Sequence, residues 1–170
     1  MSQNNSPESG LRLLARGSDD LEVLSALLQD AIIPGEDMTF DKAHGRFVMV
    51  ANRFCWDMPP VSGVTTEAGD PVYQRKLAGV QVHTVTRVLQ SGMPSDRKSA
   101  LFNLLAVTLD DVTDSGDLIE SDKGLQLSLV FSGGASLRLF VDEISVLIED
   151  LAAAQPTVNQ PAHDLDTPKV

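Results

Sequence analysis

Apolar residues recur along this chain with two different periods, and each change of period marks a predicted element. LRLLAR, Leu11 to Arg16, reads as a short strand. In SDDLEVLSALLQDAII, which follows, Leu21, Leu24, Leu27, Leu28 and Ala31 recur at spacings of three and four, the period of a helix with one buried face. Asp19 and Glu22 stand as a capping box at its start, and Pro34–Gly35 stop it. From Met38 the period is two. MTFD, KAHG and RFVMVANRFCW predict a hairpin that turns at Gly45 and has a long second strand.

Leu77 to Leu89 is extended and β-branched, but its alternation slips at His83–Thr84, which predicts a bulge or break. Ala100 to Leu109 is apolar on both faces and reads as a central strand. In Gly124 to Val141 the pattern selects the turn. A two-residue turn would place Arg138 opposite Leu129, whereas a three-residue loop, Ser132 to Gly134, pairs Leu129 with Leu137 and Leu127 with Leu139. After Asp142, the stripe Ile144, Leu147, Ile148 and Leu151 predicts a second helix running to Ala153.

These elements predict an α+β fold of about seven mostly antiparallel strands, in a bent sheet or partly open barrel, with two helices packed on it. The order, strands and then a closing helix, is similar to pleckstrin-homology-like barrels. A single domain is expected over residues 11–154, with polar, proline-containing tails at 1–10 and 155–170 expected to be disordered.

Charge narrows the partners. The chain of 170 residues carries a net charge of -11, which opposes nucleic-acid backbones and anionic membrane surfaces. The lone cysteine excludes an internal disulfide, and no run of roughly 20 apolar residues is present to span a membrane as a helix. The expected compartment is the cytoplasm. The charge is uneven, however: seven basic and four acidic residues lie between Arg46 and Lys98, while six acids lie between Asp110 and Asp122.

Chemistry is sparse. Cys55 lacks an adjacent base or an anion-stabilising helix start, so it reads as a strand residue. Trp56, beside it, reads as packing at the end of a strand, with a ligand platform as the competing reading. The loop DMPPVSGVTTEAGDPVYQR is long enough to serve a function, and Arg53, Arg75 and Lys76 flank it. The candidate ligand-binding residues are therefore Arg53, Trp56, Arg75, Lys76 and His83. DDVTDSGDLIESD lacks the spacing of a calcium loop, and SGG at Ser132 to Gly134 joins two strands rather than opening a phosphate-binding helix. No zinc spacing or paired-carboxylate motif occurs, so neither a metal nor a cofactor is expected.

The helix start D-L-x-V-L-S-A-x-L-Q-D-A, the strand N-R-F-x-W and the hairpin F-x-G-G-x-x-L-R-L together resemble an uncharacterised bacterial family, chiefly alphaproteobacterial, over about residues 11 to 152. That resemblance implies no activity. Pattern and composition favour a non-enzymatic binding or scaffolding module, with a protein partner or a small ligand. The alternative is a small enzyme or small-molecule sensor using a pocket near Trp56, Arg53 and His83.

Overall fold

The computed structural model describes residues 10–111, 124–151, 155–157 and 160–161. They contain one α-helix and eleven strands: β1 (Arg12–Ala15), α1 (Ser18–Leu28), β2 (Ala31–Pro34), β3 (Met38–Asp41), β4 (Arg46–Phe54), β5 (Tyr73–Val82), β6 (Val85–Ser91), β7 (Leu101–Asp111), β8 (Leu125–Phe131), β9 (Ser136–Val141), β10 (Val146–Asp150) and β11 (Gln155–Thr157). Every pairing is antiparallel, and the main path runs β1-β10-β5-β4-β2-β7-β8-β9-β6, with β3 on β4 and β11 on β5.

This overturns the expected α+β fold of seven strands and two helices, and with it the likeness to a pleckstrin-homology-like barrel with a closing C-terminal helix. Two helical expectations fail for one reason, a short aliphatic run that satisfies both periods. Ala31 fits the stripe of α1, but Gln29 leaves helical geometry and Asp30 has φ 62°, so the helix ends at Leu28. Ala31-Ile32-Ile33-Pro34 then pairs with β7 and inserts between β4 and β7. Likewise, in Val146-Leu147-Ile148 the buried residues are Val146 and Ile148, alternating along β10 rather than spiralling. β-branched side chains favour the pleated surface, and pairing with β5 on one side and β1 on the other gives the segment two hydrogen-bonded partners. The predicted cap is also absent: Gly17 takes the N-cap position without a side-chain bond, and Asp20 accepts from the Arg16 amide instead. The expected tails lie largely outside the described residues.

Other expectations hold. The β3–β4 hairpin turns through residues 42–45, with Gly45 at φ 60°. The β8–β9 ladder pairs Leu129 with Leu137 and Leu127 with Leu139, across the three-residue turn Ser132–Gly134. Gly134 has φ 88° and free space around its α-carbon, so the only penalty of a side chain there is conformational. Gly134→Ala should therefore lower stability by about 1–2 kcal/mol, read as a denaturation midpoint. A wild-type midpoint would contradict the left-handed turn.

The predicted break at His83–Thr84 shapes the whole sheet. β5 and β6 form one run interrupted there, with Thr84 at φ 56°, and β9 and β10 form a second run interrupted at residues 142–145. Because β5 pairs with β10 and β6 with β9, the two interruptions lie side by side, tied by His83 N–H to Ser145 O and by Asp142 N–H to Thr84 O. The sheet folds over at this corner and wraps a core that includes Leu21, Leu24 and Leu28 of α1 together with Phe47, Leu104, Leu127 and Ile148. It does not close. Among the described residues, β6 pairs with β9 alone and β3 with β4 alone. Between them lies a seam.

Candidate functional site

Four of the five sequence candidates gather where β4 ends beside β5, but the pleat splits them between two faces. Arg53 pairs with Lys76, and Phe54 with Arg75, in an unbroken register. Arg53 thus shares the inner face with Phe47, Met49 and Ala51, and its side chain is fully buried. Its Nε and Nη2 donate to Asp150 Oδ1 and Oδ2 at 2.8 and 2.9 Å, and its Nη1 donates to Asp57 at 2.8 Å. Asp150 also accepts from the Leu11 amide at 2.9 Å and faces the Lys76 ammonium at 3.8 Å. Burial opposes the charge on Asp150, but these partners outweigh it and hold its carboxyl below the ordinary value. Burial also opposes the charge on Arg53, and the two carboxylates reverse that balance, raising its pKa. The bidentate geometry explains why arginine occupies the position. The cluster ties β1, β4, β5 and β10 together.

On the opposite face, Phe54 is buried under Trp56, with ring centroids 4.5 Å apart, and beside Tyr73 at 5.4 Å. The Arg75 guanidinium lies 5.7 Å from the Phe54 ring and donates to Asn52 O, and its partial burial lowers its pKa. Trp56 Nε1–H donates to Gln29 O at 2.9 Å, so the indole clasps the end of α1 to the end of β4. His83 stands apart, seven positions beyond Lys76 and roughly 23 Å along an extended strand. The geometry therefore does not unite Trp56, Arg53 and His83 in one pocket.

Cys55 is buried, and burial pushes its thiol pKa up, with Arg53 and Lys76 offsetting only part of this. Labelling by a thiol reagent at neutral pH should be slow in the folded protein and should accelerate by at least about a hundredfold in denaturant. Equal rates in both states would mark an accessible, activated thiol. Among the described residues, no three His, Cys, Asp or Glu side chains are grouped to hold a metal ion.

The long loop is not structureless. Val61 N–H donates to Val72 O, Thr66 N–H donates to Asp70 O, and Thr65 bridges Pro71, so it folds into a small arm whose base leads directly into β5.

A cleft of about 610 Å³ opens beside β3, lined by Gly35, Glu36, Met38, Thr39, Phe40 and residues 95–98. Gly35 allows the two short turns on either side to touch, because a β-carbon there would collide with the Arg97 carbonyl. Arg97 spans the opening, donating to Met38 O at 3.1 Å and to Gln90 Oε1 at 3.5 Å. At the other end, Val85 N–H donates to Gly45 O. Phe40, Val88 and Met93 pack on the core while only partly buried. Sequence reading missed this region because no single residue type marks it; the only trace was the excess of basic residues between Arg46 and Lys98.

No helix among the described residues is long and apolar enough to cross a membrane. Neither curated proteins nor solved structures give a match to the chain. A family model does match, over residues 11–163, and the chain belongs to that family, described as a protein of unknown function (DUF2948).

Proposed function

We propose that this chain is a non-enzymatic binding or scaffolding module of the cytoplasm that engages a protein partner. The observation that carries the reading is the sheet that stays open: among the described residues β3 pairs with β4 alone and β6 with β9 alone, and a cleft of about 610 Å³ opens beside β3. The charged and aromatic residues read as ligand candidates at the end of β4 have partners within the fold, which supports a role in packing. Arg53 and Lys76 face Asp150, Arg75 lies against Phe54, and Trp56 is hydrogen-bonded to Gln29. The net charge of -11 argues against nucleic acid and anionic membranes as partners.

Affinity capture from cell lysate, with each captured protein then purified and titrated against the chain by calorimetry, tests the reading. Saturable binding of a purified protein is the expected result. No such binding, together with a melting temperature raised by one member of a metabolite panel, would replace the module with a small-molecule sensor.

A further inference from the structure

We propose that a second copy of this chain packs on the outer face of the sheet, across β1, β10, β5 and β4, and that the protein is a reversible dimer with two-fold symmetry. This goes beyond the reading of the chain as a binding module and does not depend on which protein the module engages. Register defines the face. Leu14 lies opposite Leu147, Leu147 opposite Gln81 and Gln81 opposite Val48; in the next row Glu149 lies opposite Gly79 and Gly79 opposite Val50. Successive residues of a strand point to opposite sides, and Val146, Ile148, Val80 and Met49, one position along, belong to the core. α1 lies on that inner side too, with Leu21, Leu24 and Leu28 in the core. An antiparallel sheet with one side in the core ordinarily turns polar residues to water on the other, but here the second side has an aliphatic centre. At that centre Leu14 is 39% exposed, Leu77 45% and Leu151 58%. Gly79 leaves a dip of about 230 Å³ among them, walled by Val48, Val50, Gln81 and Leu151, which has room for an aliphatic side chain of another molecule.

Charge and area choose the occupant. At the margin of the face Arg12 meets Glu149 at 3.9 Å and Arg46 meets Asp41 at 3.2 Å, and Arg75 and Asp37 on the same side keep the balance. The acids behind the net charge of -11 stand elsewhere, six of them between Asp110 and Asp122 and three more, Asp19, Asp20 and Glu22, on α1. A basic partner is selected by a contact rich in carboxylates, and this face is not one. A second copy brings the same balanced margin and the same aliphatic centre, and it keeps the acid-rich segments out of the contact, where salt screens them. Two-fold dimers use one patch twice, so a self-complementary face is sufficient. At about 4.8 Å between strands and 3.4 Å per residue, β1, β10, β5, β4 and β2 present about 500 Å² per copy. Two copies then bury about 1,000 Å², the lower limit for a specific interface, which sets a weak dimer with a Kd of about 10–100 µM.

Sedimentation equilibrium of the full-length chain between about 1 and 300 µM reads the assembly. The expected result is a mass that rises from 18.3 kDa towards twice that value and falls again on dilution. Leu77→Glu and Leu14→Glu each put a charge into the aliphatic centre and should weaken the dimer at least about tenfold, while Val23→Glu, at an exposed position of α1, should leave it unchanged. ¹⁵N spectra of the wild-type chain make the same test without a variant: shifts that grow with concentration are expected at Val48–Asn52, Leu77–Gln81 and Leu147. The proposal is overturned by a monomer at about 300 µM, by folded Leu77→Glu and Leu14→Glu chains that dimerise as wild type does, by equal loss in Val23→Glu, or by concentration-dependent shifts elsewhere on the molecule. A chain that stays monomeric while Leu77→Glu loses a protein captured by wild type would take the face from the dimer and give it to the partner of the module. A dimer that captures no protein would uphold this contact and remove the module reading.

Discussion

Asp150→Ala is expected to lower folding stability by about 3–5 kcal/mol, because it removes the carboxylate that faces two buried cations and leaves Arg53 with Asp57 alone of its two carboxylates. The Arg53 side chain is fully buried and that of Lys76 is 9% exposed, and Asp150 is the carboxylate facing both. The substitution also removes the acceptor of the Leu11 amide, which fastens the segment before β1. Arg53→Met should cost less, since Asp150 then keeps Lys76 and the Leu11 amide, and the methionine fills an apolar wall beside Met49 and Ala51. The double variant Arg53→Met/Asp150→Ala should be more stable than the sum of the single losses, with a coupling energy of about 1–3 kcal/mol in urea denaturation. Additive losses would mean that the two groups act independently and that the bidentate pair does not organise this corner.

The same pair sets an acid limit. Asp150 has a carboxyl held below its ordinary value of 3.8, so the folded chain takes up this proton less readily than the unfolded one. Its contribution is fully present above the unfolded pKa and is lost as pH falls through the folded value. Wild-type stability should therefore fall steeply below about pH 4, and the curve for Asp150→Ala should be flatter over that range. Parallel curves would assign the acid transition to other carboxylates.

How much of this fold was legible depended on whether a segment's pattern was compatible with one period or two. Leu125 to Val141 admits only alternation, and the conflict between Arg138 and Leu129 even selected its turn. Ala31 to Pro34 and Val146 to Asp150 are five residues or fewer, and their aliphatics fit a helical stripe as well as a strand. Strand partners decide such runs, and those partners lie far off in sequence: Ile32 meets Asn103, and Ile148 meets Val80. The partner of Arg53 was hidden for a related reason. With Arg75 and Lys76 this arginine flanks the long loop, which suggests a ligand, and the carboxylate it meets, Asp150, stands 97 residues away in a segment expected to be helical. The cleft left almost no trace because it is framed by two short turns that meet through backbone at Gly35 and Arg97, and a sequence records side chains.

The remaining large effect belongs to the stretch NRFCWDMPP. Phe54 is 2% exposed and meets Trp56, Tyr73 and Arg75, so Phe54→Ala should cost about 3–5 kcal/mol, the usual range for emptying a buried aromatic site. Trp56 is only partly buried, and Trp56→Ala should cost less, about 2–3 kcal/mol, from lost packing on Phe54 and the lost bond to Gln29 O. Trp56→Phe keeps a ring but not the donor to Gln29 O and should cost about 1 kcal/mol. That order, Phe54→Ala worst and Trp56→Phe mildest, distinguishes a clasp from a platform. If the indole served a ligand, Trp56→Ala would leave the unfolding midpoint near that of wild type and abolish binding instead. Because Trp56 is the only tryptophan in the chain, its emission reports the clasp directly, and in wild type it should change in the same cooperative transition as the backbone signal. An earlier fluorescence change would mean that the joint between α1 and β4 opens before the sheet does. The Gln29–Asp30 link, whose bonds include the indole N–H on Gln29 O and the Asp30 amide on Leu104 O, would then be the first joint to open.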